Sequence, residues 1–208
     1  MSNNAPALIL NQESLKIHFT RHSSISEDIT KPPLLDLKIL ASLSSKRRLH
    51  HVSGRHALSK ISSSKDGDVL EIVPGLGGCL IRDGRIFARC SISHSDYGAV
   101  AVVAPENMSV GVDLEPRNRI ISQGALNLIL NEKEKYDAQD EHSRLLIWMS
   151  KEAISKALGI GMSISKDITH DGKSWVAMGS RWATNSHHVK ISGVEHIAVI
   201  ALGITEEI

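Results

Sequence analysis

Two apolar runs only a few residues apart set the strongest limit on what this chain can become. "GAVAVVA" (98–104) and "VGVDLE" (110–115) string small and β-branched apolar residues together, the pattern of strands buried on both faces. The polar stretch "PENMS" between them predicts a hairpin. The second run ends on Asp113 and Glu115. Residues two apart on an extended strand share a face, so these carboxylates project together while Val112 and Leu114 face the other way. Like charges held that close repel, so either both lie in water or something positive sits between them.

A second acidic position lies in "WMSKEAISKALG" (148–159). On a helix, Trp148, Glu152 and Lys156 form one stripe and Met149, Ala153 and Ala157 the apolar stripe beside it. An ordinary Glu-to-Lys helix pair, worth roughly 0.2–0.5 kcal/mol, would also give this spacing. Three carboxylates facing one another from a strand end and a helix would instead suit a hard divalent cation that shares its coordination with phosphate oxygens and water.

The rest of the chain divides by its punctuation. Apolar spacing predicts a helix from about Ser45 to Ile61, then a loop "SSSKDGD" and a short strand "VLEIV" (69–73). The glycines at 75, 77 and 78 read as loop, since no helix pattern follows them. Helices are predicted from Ser122 to about Ala138 and from about Ser143 to Leu158, the second stopped by Gly159 and Gly161. "SWVAM" (174–178), "HHVKI" (187–191) and "HIAVIAL" (196–202) read as strands. "AVAVVA" and the later "AVIALG" each follow a helix and a loop, which hints at two similar α+β halves divided near residue 108.

Composition bounds the function. Among 208 residues, 24 Lys and Arg against 23 Asp and Glu leave a formal charge of +1, so no global field draws the protein to nucleic acid or a membrane surface. Cys79 and Cys90 form no CxxC pair, which argues against a disulfide scaffold or a zinc ribbon and for a reducing cytoplasm. The opening "MSNNAPALILNQ" has no basic segment leading into a long apolar stretch, and no later run approaches the roughly 20 residues of a membrane helix. Neither secretion nor membrane insertion is expected.

A phosphate-bearing ligand of the metal would need partners of its own. In "CSISHSDYG" (90–98), Ser93, His94 and Ser95 offer short hydroxyls and an imidazole, and Arg55 in "SGRHAL" offers a fork of donors.

Taken in order, "GRHAL", "SISHSDYGAVAVV", "VGVDLE" and "WMSKEAISKALG" resemble the 4′-phosphopantetheinyl transferase superfamily, whose signatures are a G-[IV]-D-x-E strand followed some forty residues on by W-x-x-K-E-A-x-x-K. Here Glu152 lies 37 positions after Glu115, and the likeness is dense over residues 84–159. Length and the early S-H-S segment resemble the monomeric type that activates peptide, polyketide and siderophore synthetases. The resemblance implies a pseudo-twofold α+β fold, with an N-terminal half over 1–108, a C-terminal half over 109–208 and coenzyme A lying between them.

It further implies that Asp113, Glu115 and Glu152 hold Mg²⁺, with Mn²⁺ as the alternative, and that Lys156 reaches the coenzyme A pyrophosphate. Ser93 and His94 would bind the 3′-phosphate, Arg55 would serve the nucleotide site, and Lys151 would add positive charge there. The implied reaction moves 4′-phosphopantetheine from coenzyme A to a serine hydroxyl of an acyl or peptidyl carrier protein and releases 3′,5′-ADP. Glu134 is the expected base, with Glu132 as the alternative. A magnesium-dependent phosphoesterase or nucleotide hydrolase could use the same carboxylates, and a coenzyme-A-binding module could use the same pocket without catalysis.

The sequence also departs from the family pattern. Ile86 stands where the pattern's G-[KR]-P turn has proline, after Gly84 and Arg85. The basic stretch that serves the nucleotide phosphates has several candidates, Lys31, Lys46, Arg47 and Arg48. Arg117, Arg119 and Lys133 flank the site in sequence and are candidates for docking an acidic carrier.

Overall fold

The computed structural model describes residues 15–25 and 34–204. Lys31 therefore lies outside the described residues. Among the described residues, ten strands form two antiparallel five-stranded sheets. The first contains β1 (Lys16–Arg21), β2 (Val69–Val73), β3 (Gly77–Arg82), β4 (Arg85–His94) and β5 (Gly98–Ala104), in the order β1-β5-β4-β3-β2. The second contains β6 (Val110–Pro116), β7 (Thr169–His170), β8 (Trp175–Ala177), β9 (Ser180–Ile191) and β10 (Val194–Ile204), in the order β6-β10-β9-β8-β7.

Adding five to each strand of the first order gives the second. The matching strings "AVAVVA" and "AVIALG" fall in β5 and β10, which occupy equivalent places. The fold is α+β with two similar subdomains.

The expected hairpin does not form. β5 is paired on both edges, with β1 and β4, whereas β6 pairs with β10 across the residue gap 116–194. Residues 105–109 cross from one sheet to the other. With both its ladder edges taken, β5 has no backbone groups left for β6.

The helices are α1 (Leu37–Ser42), α2 (Ser45–Ser62), α3 (Gln123–Ile129), α4 (Glu132–Asp137) and α5 (Glu141–Leu158). The single helix expected over 122–138 is broken in two, because Asn131 starts a new one. Its side chain accepts from the Glu134 N–H while Glu134 caps the Asn131 N–H in return. Gly77 and Gly78, expected in a loop, belong to β3. β1, β3 and β4 were not legible as strands.

Alternate residues of the strands assign the layers. Val100 and Val102 of β5, Val112 and Leu114 of β6, and Ala198 and Ile200 of β10 form the core between the sheets. Ala101 and Val103 instead pack with Ala57 and Leu58 of α2. Ile197, Val199 and Ala201 pack with Met149, Ala153 and Ala157 of α5. The sheets thus face each other, with α2 outside one and α5 outside the other.

Candidate functional site

The signature glycine Gly111 explains how the strand and helix of the site meet. A Cβ built on Gly111 would lie 1.9 Å from the carbonyl oxygen of Ala153 and 2.8 Å from the Ala157 nitrogen. Only a residue without a side chain lets β6 lie directly on the α5 backbone. Asp113 and Glu115 share that face, so the same contact brings them to Glu152 of α5.

Ligand oxygens of Asp113, Glu115 and Glu152 all lie within 4.8 Å of one another. Asp113 is 1% exposed and Glu115 8%. These are not solvated strand-end charges. Positive groups meet them, as the repulsion argument requires. The Lys156 ammonium is 2.8 Å from Asp113 Oδ1 and 3.3 Å from Glu152 Oε1, and Arg119 pairs with Glu115 through Nη1 and Oε1. The Trp148 indole N–H donates to Glu152 Oε2 at 2.9 Å. Burial pulls the Lys156 pKa down, but Asp113 and Glu152 outweigh it and hold it above the ordinary lysine value.

Asp113 Oδ2 is buried with no protein partner. A buried carboxylate oxygen left unpaired costs the folded state free energy. A cation completes such a cluster, so the donor set fits a hard divalent ion.

The segment "SISHS" proves to be a seam between the sheets. Ser91 and Ser93 alternate along β4, Ser95 follows just past its end, and each reaches the second half. The Ser91 hydroxyl accepts the Val112 N–H at 3.1 Å and the Ser93 hydroxyl the Leu114 N–H at 3.2 Å. β6 is an edge strand, and these hydroxyls satisfy N–H groups that no neighbouring strand reaches. Ser93 also donates to Asp113 Oδ1 at 3.0 Å and accepts from Lys156 at 2.9 Å. Ser95 Oγ lies 2.9 Å from Nε2 of the fully buried His196. The period-two spacing of Ser91 and Ser93 is itself a strand signal.

Beside Lys156 lies a cavity of about 320 Å³, whose lining includes Arg55, Cys90, Ser91, His94, Ser155 and Lys156. Arg55 arrives from α2, His94 from β4 and Lys156 from α5, so this cavity joins the two halves. The Arg55 Nε is buried with no partner, and burial lowers the Arg55 pKa. Such an orphaned donor suits an anion.

The His94 ring lies against His50 in a tilted contact with centroids 4.4 Å apart, and His50 stacks on His22 at 5.1 Å. Partial desolvation first, then His50 and Lys156, push the His94 pKa down to about 4. His94 keeps an open side to solvent. Cys90 is buried, and its thiol is pushed up to about 12, first by desolvation.

Other sequence candidates are not gathered here. Lys151 is fully buried and spends its three donors on Glu134 Oε2 at 2.6 Å, Ile129 O at 2.8 Å and Ser165 O at 2.9 Å. It ties α3, α4 and the 3-10 segment 161–167 to α5. Glu134, 6% exposed, is engaged as that pair's acceptor and as a cap, and Glu132 is an exposed partner of Lys135. Neither belongs to the carboxylate cluster.

Lys46 is paired with Asp96 at 2.7 Å, and Arg47 and Arg48 are exposed on α2. Asp83 and Gly84 both have positive φ and make the tight β3–β4 turn, so Arg85 and Ile86 begin β4. Arg117 and Lys133 are exposed. No helix among the described residues is long and apolar enough to cross a membrane.

No curated protein matches the chain. A family model does match residues 109–197, a span that opens just before β6 and contains Asp113, Glu115, Glu152 and Lys156. Over those residues the chain is similar to the 4′-phosphopantetheinyl transferase superfamily.

Proposed function

We propose that this protein transfers the 4′-phosphopantetheine group of coenzyme A to a serine hydroxyl of an acyl or peptidyl carrier protein and depends on Mg²⁺. The observation that carries the reading is the meeting of Asp113, Glu115 and Glu152, one of them with an orphaned oxygen, beside a cavity edged by Arg55, His94 and Lys156.

Asp113, Glu115 and Glu152 would hold the ion, which when bound supplies Lewis-acid neutralisation of pyrophosphate charge. Arg55, His94 and the cavity wall bind the nucleotide phosphates. Lys156, fixed by Asp113, Ser93 and Glu152, stands ready to neutralise charge on the departing phosphate oxygen. The carrier serine oxygen forms a bond to the β-phosphorus, the bridging P–O bond of the pyrophosphate breaks, and 3′,5′-ADP leaves. Glu152, with a quarter of its side chain exposed, is the cluster carboxylate open to the proton that the serine gives up. Glu134 acts through Lys151 as a positioning residue.

The division near residue 108 places one subdomain on each side of the ligand. A cytoplasmic monomer serving a secondary-metabolite or siderophore synthetase follows from the monomeric-type resemblance. The exposed Arg117 and Lys133 offer positive charge to an acidic carrier surface, so carrier binding weakens as salt rises.

Intact-mass spectrometry of an apo carrier domain incubated with the protein, coenzyme A and Mg²⁺ tests the reading. One added phosphopantetheine, lost with Asp113→Ala or a chelator, supports it. Coenzyme A cleaved without carrier modification would replace it with the hydrolase reading, and bound but unreacted coenzyme A with the binding module.

A further inference from the structure

Each carboxylate of the cluster has a partner from the chain itself. Asp113 has Lys156 and Ser93, Glu152 has Lys156 and Trp148, and Glu115 has Arg119. Three carboxylates against two cations leave one net negative charge. A divalent ion added with both cations in place would turn the site net positive, whereas departure of one cation would leave it neutral. Like charges crowded at one site repel, so ion binding favours that departure.

The two cations are not equally held. Lys156 is 28% exposed in its side chain and bonds to three residues on three elements. Arg119 is 41% exposed, meets only Glu115 among the carboxylates of the cluster, and stands in the turn that follows β6. Its guanidinium lies 5.8 Å from the centre of the Trp148 ring, at the mouth of the cluster. Arg119 also lines a cavity of about 230 Å³ together with Arg117, Asn118, Glu141 and His142. Glu141 is exposed at the first turn of α5 and offers a second carboxylate within that cavity.

We propose that Arg119 is an exchangeable counter-ion, which occupies Glu115 when no divalent ion is present and swings toward Glu141 when one binds. The pair is an autoinhibitory contact that the metal must displace. It also keeps Glu115 neutralised during folding, when an unpaired buried carboxylate would be costly. This inference rests on the reading of the three carboxylates as metal ligands.

The test is Mn²⁺ alone, titrated into the full chain without coenzyme A and followed by the electron-paramagnetic-resonance signal of free Mn²⁺. Arg119→Gln is expected to bind Mn²⁺ about five-fold more tightly than the unaltered protein, the worth of a partly exposed ion pair. Glu141→Gln is expected to bind it more weakly, because the displaced guanidinium loses its second partner. Circular-dichroism melts confirm that both variants fold.

Equal affinity in Arg119→Gln and the unaltered protein would overturn the exchange. A tighter Arg119→Gln with an unchanged Glu141→Gln would overturn the swing toward Glu141. If neither the unaltered protein nor Arg119→Gln binds Mn²⁺, the metal-site reading falls together with the exchange. If both bind equally and Asp113→Asn abolishes binding, the metal site stands and the exchange alone falls.

Discussion

Replacing Lys151 with Met keeps most of the side chain's length and removes its charge and three hydrogen bonds. In the folded protein that ammonium is fully buried and saturated by Glu134, Ile129 O and Ser165 O. Without it, Glu134 keeps only the Asn131 N–H on Oε2, while Oε1 is already unpartnered. Breaking one side of a buried ion pair costs about 3–5 kcal/mol, because the remaining charge cannot regain water. That is a large share of the roughly 5–15 kcal/mol by which domains are stable. For a chain of this length it corresponds to a fall in Tm of roughly 6–20 °C.

Urea unfolding of the unaltered protein, Lys151→Met, Glu134→Gln and the double variant closes a cycle that isolates the pair. The double variant should recover at least about 2 kcal/mol of the single-variant loss, since neither charge is then left alone. A Lys151→Met cost below about 1 kcal/mol would refute the strut. Coenzyme A affinity, measured cold enough for every variant to stay folded, should be unchanged in Lys151→Met and reduced in Lys156→Met. A loss of coenzyme A affinity in Lys151→Met with stability intact would place this lysine in the nucleotide site instead.

Three further outcomes are expected. Gly111→Ala must push α5 off β6, costing about 1–3 kcal/mol and weakening Mn²⁺ binding as Asp113 and Glu152 separate; wild-type metal affinity would count against the close contact as the cause of the site. Ser91→Ala strands the Val112 N–H and should lower stability by about 1–3 kcal/mol in urea melts while leaving Mn²⁺ affinity unchanged. His94, held down to about 4, is neutral at pH 7, and an arriving phosphate favours its protonated form. Binding of 3′,5′-ADP should therefore take up a proton and tighten as pH falls from 8 to 6. Calorimetry in buffers of different ionisation enthalpy reads that uptake, and its absence would remove His94 from the phosphate site. The same depressed pKa makes the unfolded chain bind more protons, so the His94 share of stability is present above about 6.5 and lost as pH falls toward 4.

The sequence by itself determined what periodicity and residue type can carry. β2, α2, the body of α5 and the buried runs of β5, β6 and β10 were legible, because each turns an uninterrupted apolar pattern toward a core. So was the pairing of Asp113 and Glu115 with Glu152, since a two-residue strand repeat, a helix stripe and the family signatures all point to one meeting place. Tertiary structure alone decided which strands pair. The short "PENMS" link favours a hairpin locally, but β1 and β4 arrive from distant sequence and take both edges of β5.

It also decided the fates of adjacent residues in one motif. Lys151 and Lys156 are both lysines of "SKEAISK", yet five positions on a helix turn one inward to Glu134 and the other to the carboxylates. The hydroxyl seam of Ser91 and Ser93 and the hold of Arg119 on Glu115 were likewise settled only when the chain closed. Partners of a buried charge are chosen by whichever elements enclose it, and no local pattern records that enclosure.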